Sequence, residues 1–224
     1  MEQLKSREAQ RNVRITSGNE ALDGNLAVPA GASGLVLFAH GSGSSRLSPR
    51  NVFVARALQE AGVGTLLFDL LSRAEEQVDL YTREHRFDIG LLAQRLVHAT
   101  AWVDTQDELR DLRVGYFGAS TGSAAALVAA ARLEERVSAV VSRGGRPDLA
   151  AAELARVRAP TLLIVGGDDD VVIELNEQAY RRLQCEKHLT IVPGASHLFE
   201  EPGTLEQVAQ LASEWFRRHL GSAS

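Results

Sequence analysis

The 224-residue sequence predicts a doubly wound α/β fold, with a mostly parallel sheet and helices on both of its faces. Two observations lead to this prediction: short apolar runs recur along the chain, and longer segments with helical spacing lie between them. Strands buried on both faces of a parallel sheet show such continuous apolar runs, and parallel neighbours need crossover connections. The runs predicted as strands are 34–39, 65–68, 113–117, 139–141, 161–165 and 189–192.

Helical spacing is clearest in three segments. Ser48 and Pro49 mark the start of the first one, because serine is a good N-cap and proline loses nothing at the first helical position. Residues 148–156 are expected to form a single crossover helix, and residues 13–27 to add antiparallel edge strands. The apolar positions that repeat with helical period are Val54, Leu58 and Ala61, then Leu92, Leu96, Ala99 and Val103, and finally Leu205, Val208, Ala212 and Trp215.

Composition narrows the possible function classes. We expect one domain over residues 1–224, since the chain is short for two. A net charge of -5 argues against a nucleic-acid partner, which would need clustered basic residues. Residues 1–12 lack the apolar segment of a secretion signal, and no apolar run is long enough to cross a bilayer. Cys185 is the one cysteine and cannot form an internal disulfide, so we expect a cytoplasmic protein. We also expect no membrane association, and a monomer or homodimer.

The segment Gly118-Ala-Ser120-Thr-Gly122 follows a predicted strand and precedes an alanine-rich helical segment, 123–133. This is G-x-S-x-G in the strand-turn-helix setting that gives the motif its meaning. Glycines leave room in a sharp turn, and the turn presents the serine hydroxyl at the end of the sheet. Alone, the pattern also fits a tight helix entry, so further residues must support a catalytic interpretation.

A nucleophilic serine requires a base, which in turn is oriented by an acid. His197 lies in a turn-rich loop after the predicted strand 189–192, and three aspartates, 168–170, follow the strand 161–165. The carboxyl ends of parallel strands are where such sheets bind ligands. The order Ser, Asp, His along the chain is the one expected for this arrangement. Any of the three aspartates satisfies this reasoning.

With these motifs the sequence resembles the α/β-hydrolase family, most closely its compact dienelactone-hydrolase-like members, over about residues 13–220. The resemblance places the acid at Asp169, two residues before Val172 in the loop that begins Gly166-Gly. It also implies an oxyanion hole formed by the backbone N–H groups of Ser42, in the loop after the first parallel strand, and of Thr121. Dienelactone hydrolases proper carry a cysteine nucleophile where this chain has Ser120, so their lactone substrate does not follow from the resemblance.

The expected activity is cofactor-free hydrolysis of small soluble carboxylic esters or lactones through an acyl-enzyme on Ser120. Only about 19 residues separate Ser142 from Thr161, which leaves no room for a large lid and favours an open pocket. Residues 70–86 are expected to form another pocket wall. The alternatives are a thioesterase, amidase or perhydrolase with the same three residues, or a non-catalytic binding module with the same fold.

Other residues with charged or reactive side chains lie near the predicted strand ends or elsewhere in the chain. Arg143 and Arg146 follow a predicted strand and offer guanidinium groups to an anionic substrate, but a surface turn with solvated charges is the favoured interpretation. His40 is expected to support its glycine loop, and Cys185 to be an inert packing residue. No dinucleotide or Walker motif is present, and the spacing predicts no metal site at the remaining histidines, His85, His98, His188 and His219.

Overall fold

A computed structural model of the protein describes residues 10–221. Its eight strands are β1 (Arg11–Ser17), β2 (Glu20–Ala27), β3 (Gly34–Ala39), β4 (Gly64–Phe68), β5 (Arg113–Ala119), β6 (Val137–Arg143), β7 (Thr161–Gly166) and β8 (Lys187–Val192). Its α-helices are α1 (Pro49–Glu60), α2 (Arg73–Thr82), α3 (Ile89–Asp104), α4 (Thr121–Leu133), α5 (Asp170–Arg182) and α6 (Thr204–Leu220). Short 3-10 helices cover His85–Phe87, Glu134–Arg136, Pro147–Ala150 and Leu154–Arg156.

The strands form one sheet in the order β1-β2-β4-β3-β5-β6-β7-β8. From β4 to β8 in this order all neighbouring strands are parallel, whereas the pairs β1–β2 and β2–β4 at one edge are antiparallel. The prediction of a doubly wound, mostly parallel sheet with antiparallel edge strands is therefore confirmed. After β4 the chain crosses β3 to reach β5, so the order reverses beside β3, and open α/β sheets bind ligands at such a point.

Hydrophobic cores fill both faces of the sheet. Successive residues of a strand point to opposite faces, so Val140 packs with the side of α3 and α4 while Val141 packs with the side of α1 and α6. Helix α4 is buried over most of its length, because its alanines allow close approach to the strands and to α3. This rigid central helix supports the turn that precedes it.

Helix α1 begins as its sequence predicts. The Ser48 side chain accepts a hydrogen bond from the Asn51 N–H, and Pro49 occupies the first turn. Among residues 10–221, no helix combines the length and the apolar character needed to cross a bilayer.

The expected single helix at 148–156 is wrong. The segment forms two 3-10 turns, Pro147–Ala150 and Leu154–Arg156, joined by a bend. Ala150 and Leu154 are both buried in the core that includes α4. Burying these two side chains within a short crossover decides the local conformation against the helix propensity of the alanines.

Residues 70–86 contain a helix that the apolar pattern does not reveal. In α2 the one buried residue is the charged Asp79, so the helix has no apolar stripe toward the core. Its start is nevertheless encoded by a capping box, in which Ser72 and Glu75 satisfy each other's backbone N–H groups. This signal at Ser72 and Glu75 was the available indication of the helix.

Candidate active site

Ser120 occupies a sharp turn between β5 and α4. Its φ of 51° and ψ of -122° lie in a region that non-glycine residues rarely adopt. The turn is held by close backbone packing: a Cβ on Gly122 would lie 2.2 Å from the Ala39 carbonyl oxygen, and one on Gly118 would lie 2.5 Å from Ser123 Cα. Both glycines of the motif are thus required by space, and they fix the Ser120 backbone in a strained conformation.

His197 and Asp169 form a hydrogen-bonded pair. The distance from Nδ1 of His197 to Oδ2 of Asp169 is 2.7 Å. The Asp169 side chain is 17% exposed and that of His197 38%, so the carboxylate lies inward of the ring. Donation from Nδ1–H to the carboxylate leaves Nε2 as the free nitrogen of a neutral ring. Of the three neighbouring aspartates, Asp169 is the one hydrogen-bonded to this histidine.

Ser120 and His197 line the same cavity of about 200 Å³ at the carboxyl ends of the parallel strands. The end of β6 supports both residues. The Arg143 carbonyl accepts a 3.2 Å hydrogen bond from the Ser120 N–H, and a Cβ on Gly144 would lie 3.6 Å from Cε1 of His197. Within the described chain no direct hydrogen bond joins the two side chains. Contacts of this kind are often long without substrate and tighten in the reacting complex.

The loop after β3 packs directly on the turn at Ser120. A Cβ on Gly41 would lie 3.2 Å from Cβ of Ser120. The next backbone N–H, that of Ser42, donates a 2.9 Å hydrogen bond to Oγ1 of Thr121. The N–H of Thr121 is the first of α4 and has no acceptor within the helix. The two N–H groups expected to form an oxyanion hole therefore flank Ser120, and the Thr121 side chain links them.

His40 fixes this loop from the buried side. Its Nδ1–H donates to the Gly41 carbonyl at 3.0 Å, and its Nε2 accepts the Leu70 N–H at 3.0 Å. This pattern requires the neutral ring with the proton on Nδ1. Burial lowers the pKa of His40, outweighing the opposing effects of the Gly41 carbonyl, Asp69 and Glu76. His40 connects the loop to the segment after β4.

Arg143 corrects the sequence-based interpretation of the 143–146 turn as solvated. Its side chain lines the cavity with Ser120 and His197, and the residue is only 7% exposed. The strand places residue 143 on the side of the sheet where α1 and α6 pack, and this burial cannot be read from the local sequence. Arg146 does behave as expected, forming a two-pronged ion pair with Asp148 near the surface, with both distances 2.8 Å.

The charge of Arg143 is not balanced within the protein. Its Nε and Nη1 atoms are buried and have no hydrogen-bond partner among residues 10–221. Burial, with a further contribution from the charge of Arg50, lowers the pKa of Arg143 to about 10. The guanidinium therefore remains positive at neutral pH and faces the candidate active site without a counter-ion in the described chain.

A second cavity, of about 160 Å³, lies on the other side of the loop after β3. Its wall includes Leu71, Leu80 and Arg86, so the segment 70–86 lines this second cavity and not, as expected, the cavity with Ser120 and His197. Asp79 anchors this wall by accepting hydrogen bonds from the backbone N–H of His85 and Arg86 and from the Arg86 side chain. The two cavities share Gly41, Ser42 and Ser44.

The remaining candidates do not converge on this site. Across the described part of the chain, no group of three or more His, Cys, Asp or Glu residues has a geometry suited to a metal ion. Cys185 is half-buried, and burial raises the pKa of its thiol. This environment disfavours the reactive thiolate.

Comparison with known proteins places these features in a family. The model of the "Dienelactone hydrolase family" matches residues 22–220. A Mycobacterium tuberculosis protein named "Putative phosphoribosyl transferase" is 58% identical over 208 residues, covering 93% of this chain and 46% of that protein. The chain thus spans less than half the length of this curated relative.

Solved structures show the same relationship. A dienelactone hydrolase from Anabaena variabilis has a TM-score of 0.94 and 62% identity, covering 95% of this chain and 98% of that one. An α/β serine hydrolase without lid from Xanthomonas campestris has a TM-score of 0.76 and 21% identity, covering 96% and 97%. Est1E from Butyrivibrio proteoclasticus has a TM-score of 0.80 and 15% identity, covering 96% and 100%. The last two likenesses concern the fold alone.

Proposed function

The chain belongs to the dienelactone hydrolase family, and from this premise we propose that it is a serine hydrolase that cleaves small carboxylic esters or lactones. Ser120 is the nucleophile, His197 the general base and Asp169 the residue that orients the histidine. The observation that carries the proposal is the His197–Asp169 pair, joined at 2.7 Å, opening onto the cavity that the strained Ser120 lines.

In the first half of the reaction, Ser120 Oγ attacks the carbonyl carbon while its proton passes to Nε2 of His197. The tetrahedral intermediate then expels the alcohol oxygen, which takes that proton as the C–O bond breaks. Water attacks the acyl-enzyme in the second half and gives its proton to His197. Collapse of this second intermediate releases the acid and returns the proton to Ser120. The Asp169 carboxylate stabilises the imidazolium formed in each half.

The negative oxygen of each intermediate is held by the backbone N–H groups of Thr121 and Ser42. Backbone donors positioned beside the reacting carbonyl stabilise such an oxygen, and losing one typically costs on the order of 3 kcal/mol. The α4 N-terminus, directly after Ser120, adds a favourable dipole. Because both donors belong to the backbone, their positions depend on the packing of their loops, to which the hydrogen bond from the Ser42 N–H to Oγ1 of Thr121 contributes.

The site accommodates a small substrate. The cavity of about 200 Å³ is below the range of roughly 300 to 1,000 Å³ usual for drug-sized ligands. The connection between β6 and β7 consists of two short 3-10 turns and contributes no large cover over it. These features favour short acyl chains and open access, and we expect long-chain lipid esters to be poor substrates.

Other activities fit the same residues less specifically. Hydrolysis of thioesters or amides, or formation of peracids, would use the same three groups. A non-catalytic binding role would not require a His–Asp pair and a strained serine in one cavity. The relative named as a phosphoribosyl transferase is about twice as long as the matched region, so we do not transfer its name to this chain. A cytoplasmic location remains our expectation from the single cysteine.

The proposal is tested with Ser120→Ala, using para-nitrophenyl acetate and a fluorophosphonate probe. We expect kcat/KM to fall by about 10⁴-fold or more, and the probe to label the unsubstituted protein at Ser120 but not Ser120→Ala. Ser213→Ala, on the outer helix α6, is the matched control and retains both properties. Undiminished turnover by Ser120→Ala would refute the assignment. Comparing acetate with longer acyl esters tests the expected preference for short chains.

A further inference from the structure

Arg143 is the feature of the cavity that ester hydrolysis alone does not use. The reaction requires a nucleophile, a base, an acid and oxyanion donors, and none of these is a buried arginine. Yet the guanidinium lines the cavity with Ser120 and His197, with only 7% of the residue exposed. Two of its three nitrogens, Nε and Nη1, are buried without a partner among residues 10–221.

The surroundings of Arg143 increase the positive potential rather than cancel it. Arg50, in the first turn of α1, lines the same cavity, and its positive charge repels that of Arg143. The carboxylate that pairs with Arg50 is Glu200, at 3.1 Å, and it is largely exposed. Arg143 forms no ion pair with any described residue. The N-terminus of α1, capped by Ser48, also opens onto this cavity and adds a positive dipole end.

An unpaired buried cation destabilises a protein unless something compensates for its lost hydration. A positively charged group with free donors is expected to bind carboxylate or phosphate oxygens, which guanidinium groups often bind through two hydrogen bonds, in bidentate geometry. Of the three guanidinium nitrogens of Arg143, Nη2 is the one that is not fully buried, and an anion in the cavity would contact the guanidinium there. The same cavity is where the proposed reaction takes place, so the anion would belong to the reacting molecule.

We propose that Arg143 is a substrate-binding residue, which selects esters or lactones carrying a carboxylate or phosphate group near the scissile bond. This inference rests on the proposed function and specifies its substrate class. Arg143 lies beside the reacting serine, since its own carbonyl accepts the Ser120 N–H. The anionic group therefore binds on the α1 side of Ser120, close to the carbonyl under attack.

The test compares matched esters that differ in one charge. Para-nitrophenyl butyrate and mono-para-nitrophenyl glutarate differ on the acyl side. Phenyl acetate is paired with para-acetoxybenzoate and with para-acetoxyphenyl phosphate, which place a carboxylate or a phosphate on the leaving group. We expect the unsubstituted protein to prefer at least one anionic ester over its neutral partner by about 10-fold or more in kcat/KM. The pair of esters with the larger preference identifies whether the anion is a carboxylate or a phosphate, and whether it lies on the acyl part or on the leaving group.

Arg143→Gln should lower that preference, the ratio of the two kcat/KM values, by about 10-fold, since truncating one partner of a buried charge pair is costly. Arg143→Lys retains the charge and should recover part of the preference. Arg146→Gln is the matched control, because Arg146 is paired with Asp148 and lies outside the cavity lining; it should change the ratio less than twofold. Equal kcat/KM for neutral and anionic esters, or an unchanged ratio in Arg143→Gln, would overturn the proposal.

A binding measurement keeps the proposal testable if Arg143→Gln does not fold. Ser120→Ala protein is titrated calorimetrically with glutarate, benzoate and phenyl phosphate, with benzamide as the neutral comparison. Binding of at least one anion, weakened about 10-fold or more by adding Arg143→Lys, supports the site, whereas equal affinity for benzamide and the anions contradicts it. This measurement does not depend on turnover. Failure of the Ser120 mechanism would instead appear as neutral-ester hydrolysis that survives Ser120→Ala.

Discussion

The backbone N–H of Ser42 donates a 2.9 Å hydrogen bond to Oγ1 of Thr121, joining the loop after β3 to the first residue of α4. The Thr121 side chain thus connects, by a hydrogen bond, the two segments that carry the proposed oxyanion donors. The same hydrogen bond also occupies the Ser42 donor in the absence of substrate. We expect the threonine to hold the loop beside Ser120, with the Ser42 N–H within reach of a developing oxyanion.

Thr121→Val tests this positioning role, because it removes the hydroxyl while preserving shape. We expect kcat for para-nitrophenyl acetate to fall about 10-fold with little change in KM, since this hydrogen bond positions a donor that stabilises the transition state rather than the bound substrate. The free energy of unfolding should fall by about 1 kcal/mol for the lost hydrogen bond. Thr121→Ser retains the hydroxyl and is the control. An unchanged or increased kcat in Thr121→Val would show that the hydroxyl does not position the donor.

Asp79 anchors the wall of the neighbouring cavity, which leads to a second prediction. Asp79→Asn leaves the Arg86 guanidinium without its buried partner, and we expect the free energy of unfolding to fall by about 2 kcal/mol or more in urea titrations near neutral pH. Asp107→Asn, at a carboxylate that is 91% exposed, is the control and should change stability by less than about 0.5 kcal/mol. Equal stabilities of the two variants would contradict the anchoring role.

The pH dependence of this contribution has a definite sign. Burial alone would raise the pKa of Asp79, but the hydrogen bonds from Arg86 and His85 and the charge of Arg86 hold it below its ordinary value near 3.8. A carboxyl with a lowered pKa in the folded state stabilises the protein above its unfolded-state pKa. The advantage over Asp79→Asn should therefore be complete above about pH 5 and shrink as the pH falls below 4.

The sequence predicts the sheet well because its strands are buried on both faces. The run 34–39 coincides with β3, and 161–165 falls one residue short of β7. Helix α1 was predictable from Ser48 and Pro49, whose effects are local. The segment 148–156 was not, because its conformation depends on packing against α4, a helix distant in sequence.

The candidate site shows the same division. The motif around Ser120 is recognisable in the local sequence, although the contact that excludes a side chain at Gly122 comes from Ala39, at the distant end of β3. The choice of Asp169 among three adjacent aspartates came from resemblance, because their spacing alone does not say which one faces His197. The burial of Arg143 depends on segments distant in sequence, which surround the end of β6, so the local pattern of charges and glycines wrongly suggested a solvated turn.

His40 provides a third prediction, in which pH reports on the loop that carries Ser42. Its ring bridges the Gly41 carbonyl and the Leu70 N–H only in the neutral form, and burial lowers its pKa below the ordinary value of 6.5. Below pH 6.5 His40 therefore binds a proton in the unfolded chain but stays neutral in the folded chain. Folding stability is complete above that pH and is lost as the pH falls toward the folded-state pKa.

The measurement compares the unfolding free energy of the unsubstituted protein and His40→Gln between pH 8 and pH 5. The excess stability of the unsubstituted protein should decline below about pH 6.5, at a rate approaching 1.4 kcal/mol per pH unit. His188→Gln, at an exposed position on β8, controls for the loss of one imidazole. Parallel pH profiles for the unsubstituted protein and His40→Gln would mean that His40 accepts the proton while folded. In that case the Leu70 N–H would lose its acceptor without a measurable cost, and His40 would not hold the loop as its two hydrogen bonds indicate.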